Sequence, residues 1–139
     1  MKNIQKLFVM TATLSATLCI TTRDLPAITS IDNIPQYPGS QTLCNEHLAA
    51  NGAHILWKSF GTRDVLPVVA AYFEKELGVK AAVGEHEAKK IAHPANADLI
   101  VTIYPKKFVD SFPTCAQKPD PSAETIVLVS QAIHEQRAP

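Results

Sequence analysis

Residues 54–78, HILWKSFGTRDVLPVVAAYFEKELG, change their hydrophobic period partway through, and that change decides the fold. Over 54–60 the side chains alternate. Ile55, Trp57 and Ser59 share one face, while His54, Leu56, Lys58 and Phe60 share the other. A period of two marks a strand. From Asp64 the apolar residues recur at helical spacing, at Val65, Val68, Val69, Tyr72, Phe73 and Leu77. Asp64 suits a helix cap, and Pro67 falls in the first turn, where its missing N–H costs little. Gly78 suits the left-handed residue that closes a helix. The reading is a strand over 54–60 and an amphipathic helix over 64–77.

Working outward, residues 98–104 alternate Leu99, Val101 and Ile103 with Ile100, Thr102 and Tyr104, and Pro105 ends that strand. The β-branched run 125–133, TIVLVSQAI, reads as another strand. Between the helix and the 98–104 strand, residues 79–96 fit either a short strand with a turn of helix or an irregular hairpin. Residues 105–123 hold Pro105, Pro113, Pro119 and Pro121, and a loop of that length in a small domain calls for a tether or a role.

Upstream, 40–52 (SQTLCNEHLAANG) reads as a short helix, with Ser40 as cap, Asn51-Gly52 as stop, and Leu43, Cys44, His47 and Leu48 on one face. Residues 23–39, with three prolines and no clean period, read as an extended linker that ends in a turn at Tyr37-Pro38-Gly39. One main helix and several strands predict a single small two-layer α+β domain over 40–134, with a mostly antiparallel sheet and the helix on one face. A frayed tail is expected over 135–139.

The chain has 139 residues, with 13 basic and 13 acidic side chains, 46% hydrophobic and 19% charged. Such a composition belongs to one globular domain and excludes a disordered or collagen-like chain. The balanced charge argues against a nucleic-acid partner. No apolar run is long enough for a transmembrane span.

Lys2 and Lys6 precede a 14-residue apolar stretch, Leu7–Ile20, which ends at Thr21-Thr22-Arg23. This is the layout of a secretory signal peptide, expected over 1–22, so the protein is expected to be periplasmic or extracellular. Cys19 follows Leu18, which spoils a lipidation box, so a lipid anchor there is not expected. Removing 1–22 takes two lysines and no acids, leaving a net charge of −2. It also leaves two cysteines, Cys44 and Cys115, which in an oxidising compartment predict one disulfide. The contrasting reading is a cytosolic structural protein that keeps its N-terminal segment as a buried helix and its thiols reduced.

Tyr37-Pro38-Gly39, Leu43-Cys44, His54-Ile55-x-Trp57-x-Ser59-Phe60, Asp64, Val69, Phe73, Leu77 and Gly78 together form an ordered pattern over 37–78. In this the chain resembles small bacterial exported proteins and lipoproteins of uncharacterised activity, in which a Trp-bearing strand precedes a helix ending in an aromatic, a Leu and a Gly. The resemblance implies export and carries no activity.

Catalytic signatures are absent from the sequence. No G-x-S-x-G elbow surrounds any serine, and His86-Glu87 lacks the second histidine of a zinc-protease helix. Glu85 and Glu87 form no recognisable acid–base pair across a cleft. Cys44, His47 and His54 are the one group with metal-ligand or thiolate–base spacing, and they support a small metal- or thiol-dependent hydrolase as the alternative reading. No cofactor is expected. The leading expectation is a non-catalytic module that binds a protein or small-molecule partner, or a second copy of itself. Because the strands are apolar on both faces and a single helix covers one, its binding surface is expected around Trp57, Tyr104, Lys106 and Lys107.

Overall fold

The computed structural model describes residues 30–50, 53–113 and 115–134. The described strands form one antiparallel sheet: β1 (Gln41–Ala50), β2 (Ala53–Thr62), β3 (Ala82–Val83), β4 (Lys89–His93), β5 (Asn96–Pro105) and β6 (Thr125–His134). Their spatial order is β1-β2-β6-β5-β4-β3. The helix α1 (Leu66–Leu77) packs over β4 and β5 on one face. This is the expected two-layer α+β domain with one main helix. The signal peptide expected over 1–22, Cys19 within it, and the tail 135–139 lie outside the described residues.

The last strand takes a central position. β6 pairs with β2 on one edge and β5 on the other, and its side chains are buried on both faces of the sheet. That explains its unbroken apolar run, since a strand buried on both sides has no reason to alternate. Val127 and Val129 join Leu99, Val101, Ile103 and Phe60 beneath α1, while Ile126 and Leu128 join Tyr104 and Leu43 on the opposite face.

The helix is rotated and shortened relative to the sequence reading. It begins at Leu66, with Val65 at the cap position and no side-chain cap bond, and Gly78 closes it at φ 66°. Its buried stripe is Val69, Ala70, Phe73 and Leu77, whereas Val65 and Val68 are about half exposed. Asp64 has a different task, because its carboxylate accepts the Tyr37 hydroxyl at 2.5 Å.

Two further expectations are corrected. Residues 41–50 form the edge strand β1, not a helix. Ten residues with one small apolar cluster are marginal as a helix, whereas pairing with β2 satisfies the backbone along the whole stretch. Ala50 pairs with Ala53, and Asn51-Gly52, expected as a helix stop, lies outside the described residues. Residues 30–39 are also no linker. Ile31, Ile34 and Tyr37 are buried in the helix-side core, the Gln131 side chain accepts the Ile31 N–H at 2.8 Å, and Lys58 donates to the Ile34 carbonyl at 2.8 Å. The core on this face therefore starts before residue 40.

Residues 79–96 resolve as a hairpin. β3 and β4 flank a turn in which Ala88 N–H donates to the Glu85 carbonyl at 2.9 Å. Both central residues are left-handed, His86 at φ 52° and Glu87 at φ 61°. Side chains other than glycine or asparagine cost roughly 1–2 kcal/mol in that region. Glu87→Gly is therefore expected to raise unfolding free energy by about 1 kcal/mol, measured by urea denaturation. An unchanged or lower midpoint would refute the strain argument.

Candidate functional site

The second face of the sheet is covered by the proline-rich connection between β5 and β6. After Pro105 the chain makes a short 3-10 segment over Lys106–Ser111 and runs on to Cys115, which is disulfide-bonded to Cys44 on β1 with a Cα–Cα distance of 5.5 Å. The tether anticipated for this loop is therefore present. Phe112 stacks on Tyr104 with ring centroids 3.9 Å apart, and Phe108 and Phe112 also contact the His86 ring. Lys106 donates to the carbonyls of Asp120 and Pro121 at 2.9 and 2.6 Å, and Lys107 pairs with Glu87 at 2.6 Å.

This placement revises the expected binding residues. Tyr104 is only 1% exposed and forms the floor beneath the loop, so it offers no outer surface. Lys106 ties the loop to itself and Lys107 ties it to the 85–88 turn, so both ammonium groups are engaged within the chain. Trp57 is half-buried beside the loop, and its indole N–H is enclosed without an acceptor. Between loop and sheet lies a cavity of about 360 Å³, floored by Leu43, Tyr104 and Ile126 and rimmed by Lys106, Asp110 and Lys118.

Past the end of the loop the same face is open. Leu48 and Ile55 are direct cross-strand partners on β1 and β2, 50% and 39% exposed, next in line to Glu46 and Trp57. Sequence reasoning missed Leu48, because the helix reading of 40–52 grouped it with His47, whereas in the strand it shares a face with Cys44 and pairs with Ile55.

The Cys44, His47 and His54 group divides between the two faces. Cys44 lies opposite Ser59, and His47 lies opposite Leu56, so alternation points them to opposite sides of the sheet. His47 and His54 do meet, with Nε2 and Nδ1 2.9 Å apart. Among the described residues no three His, Cys, Asp or Glu side chains converge as a metal cage.

A second depression of about 470 Å³ lies at the start of the helix connection, lined by Gly61, Arg63, Asp64 and Asp120 among others. Hydrogen bonds from Ser122 hold the Asp120 carboxyl below its usual range. The cleft therefore mixes one guanidinium with two carboxylates and has no single electrostatic preference.

The tyrosines carry a pH signature. The Tyr37 hydroxyl is pushed up to about 12, chiefly by its bond to the Asp64 carboxylate and then by burial. Burial alone pushes Tyr104 to about 12. A phenol that keeps its proton longer when folded stabilises the fold fully below the unfolded value of about 10, and that contribution disappears as pH climbs towards 12. The urea midpoint is expected to fall across this window, and less steeply in Tyr104→Phe. Identical slopes for the two proteins would contradict the assignment.

The chain matches no protein-family model, no curated protein and no solved structure.

Proposed function

We propose that the protein is an exported, non-catalytic binding module whose contact surface is the open part of the second sheet face, at Leu48 and Ile55 beside Trp57. The observation that carries this reading is the pairing of Leu48 with Ile55, two large apolar side chains exposed side by side on the face that α1 does not cover. Contiguous exposed apolar side chains favour a partner, because burying them releases roughly 25 cal/mol per Å². Export is supported by the signal-like N-terminus and by the Cys44–Cys115 bond, since such bonds persist in oxidising compartments.

The hydrolase alternative loses its nucleophile, because a bridged sulfur cannot attack a substrate or bind a metal as thiolate. The partner is a protein or small molecule with an apolar contact, a second copy of the chain included.

Two measurements test the reading. The intact mass of natively produced protein should be short by about 20 residues and gain two hydrogens on reduction; a full-length chain with free thiols would defeat export. In exporting cells, a photo-crosslinker placed at Glu46, beside the patch, should give a discrete adduct that the Leu48→Lys/Ile55→Lys protein no longer forms. Equal adducts from both proteins would defeat the contact surface.

A further inference from the structure

His47 and His54 lie on adjacent strands of the β1–β2 hairpin, opposite Leu56 and Ala49 respectively, on the side of the sheet away from the disulfide. Their facing nitrogens are 2.9 Å apart, while the ring centroids are 5.0 Å apart and the ring planes are inclined by only 23°. Nitrogens that much closer than the centroids mean that the rings meet edge to edge. Each neutral imidazole carries one N–H and one lone pair, so a single proton sits between the two rings.

A metal ion can replace that proton. Two imidazole nitrogens bound about 2.0–2.1 Å from an ion sit roughly 2.9 Å apart at a right angle, and roughly 3.4 Å apart at the tetrahedral angle. The observed 2.9 Å is a hydrogen-bond distance, and it already lies within the span two nitrogens take on one ion, so ring rotation suffices. The preference for copper(II) over zinc(II) follows the affinity order of divalent ions at imidazole sites.

We infer that His47 Nε2 and His54 Nδ1 form a two-imidazole chelate for a divalent transition-metal ion, copper(II) before zinc(II), with water completing the coordination. The hairpin supplies the pre-organisation, since the register fixes both Cα positions before the ion arrives. His47 is exposed, so the ion has access from solvent. The nearest cationic side chain on that face of β2, Lys58, is directed away, towards the Ile34 carbonyl and the Phe60 ring. On binding, the ring that donated its N–H takes the other tautomer, its proton moving through water to its remote nitrogen. Both facing nitrogens then turn lone pairs to the ion as neutral imidazoles with no net proton release, and the ion no longer needs the Cys44 thiol of the three-ligand reading.

The other histidines serve as controls. His86 is packed on Phe108 and Phe112, and His93 is buried and accepts the Ala95 N–H. His134, opposite Ala53 but on the other face of the sheet from His54, lies 3.8 Å from Asp98. The test is titration of the oxidised full chain with copper(II) salt alone, followed by electron paramagnetic resonance and equilibrium dialysis. One equivalent should bind with superhyperfine splitting from two imidazole nitrogens. His47→Ala and His54→Ala should each weaken it by about tenfold or more, as expected when one arm of a chelate is removed, and His134→Ala should leave it unchanged. Zinc(II) should bind more weakly than copper(II). A wild-type spectrum without two imidazole nitrogens overturns the site independently of any variant. Unchanged affinity in both alanine variants, or loss in His134→Ala, overturns it as well.

Discussion

Reduction of the Cys44–Cys115 bond is expected to lower the unfolding free energy by about 4 kcal/mol. The bond closes a loop spanning 71 positions in sequence, and in the chain-entropy account a loop of that size removes roughly this much freedom from the unfolded chain. Against a typical domain stability of about 5–15 kcal/mol, the loss is a large fraction of the whole. The measurement is urea denaturation of the native protein against a Cys44→Ala/Cys115→Ala double variant, which avoids leaving a lone thiol. The loss should also have a local signature. Without the bond, the stretch after Ser111 is held by Phe112 against Tyr104 and His86 and by backbone contacts, so amide exchange over 106–119 should accelerate more than in α1. A double variant within 1 kcal/mol of wild type would show that the loop is held by its own packing.

Phe73→Ala carries the second large effect, a loss of about 3–5 kcal/mol. Phe73 has no exposed surface, lies in the buried stripe of α1, and meets Tyr72 edge-on at 5.1 Å and Tyr37 at 6.4 Å. Its removal leaves a void where the helix, the sheet and the segment containing Ile31, Ile34 and Tyr37 converge. Val68→Ala on the same helix should change stability by no more than about 0.5 kcal/mol, because that side chain faces solvent. The sequence pattern assigned both residues to one apolar face, so comparing the two variants by denaturation tests the rotation of α1 directly. Similar losses from both would mean that the helix is rolled differently on the sheet.

These two variants bracket what the sequence alone makes legible. The period change at Asp64 located β2 and α1, and the alternation over 98–104 located β5. Such patterns are local consequences of one face meeting a core and the other meeting water. The limits of α1 were less legible, since helical spacing at Val65 and Val68 cannot show whether a neighbouring element reaches that far. Among the described residues no element does, and both remain about half exposed.

The candidate site was legible only in part. Cys44 and Cys115 could be paired because compartment and count left one connectivity. Tyr104 and Trp57 could be placed on the second face by alternation, but not assigned to floor or rim. That depended on where the 106–119 loop comes to rest, and a long proline-rich loop has no period from which to read it. The involvement of Lys106 and Lys107 in holding the loop has the same cause, since their partners Asp120, Pro121 and Glu87 are distant in sequence.

What the sequence by itself determined was therefore one α+β domain, the β2–α1 unit, the apolar strands β5 and β6, and the one possible disulfide within 40–134. Each of these follows from a repeat or a count along the chain. Tertiary structure alone decided that 41–50 is a strand, that 30–39 belongs to the core, and that His47 meets His54 while Cys44 faces the other way. In each case the local pattern is weak, and the free energy comes from partners far away in sequence. Backbone pairing with β2 makes β1 a strand, burial against α1 holds Ile31, Ile34 and Tyr37, and the resulting register sets which face every side chain on β1 presents.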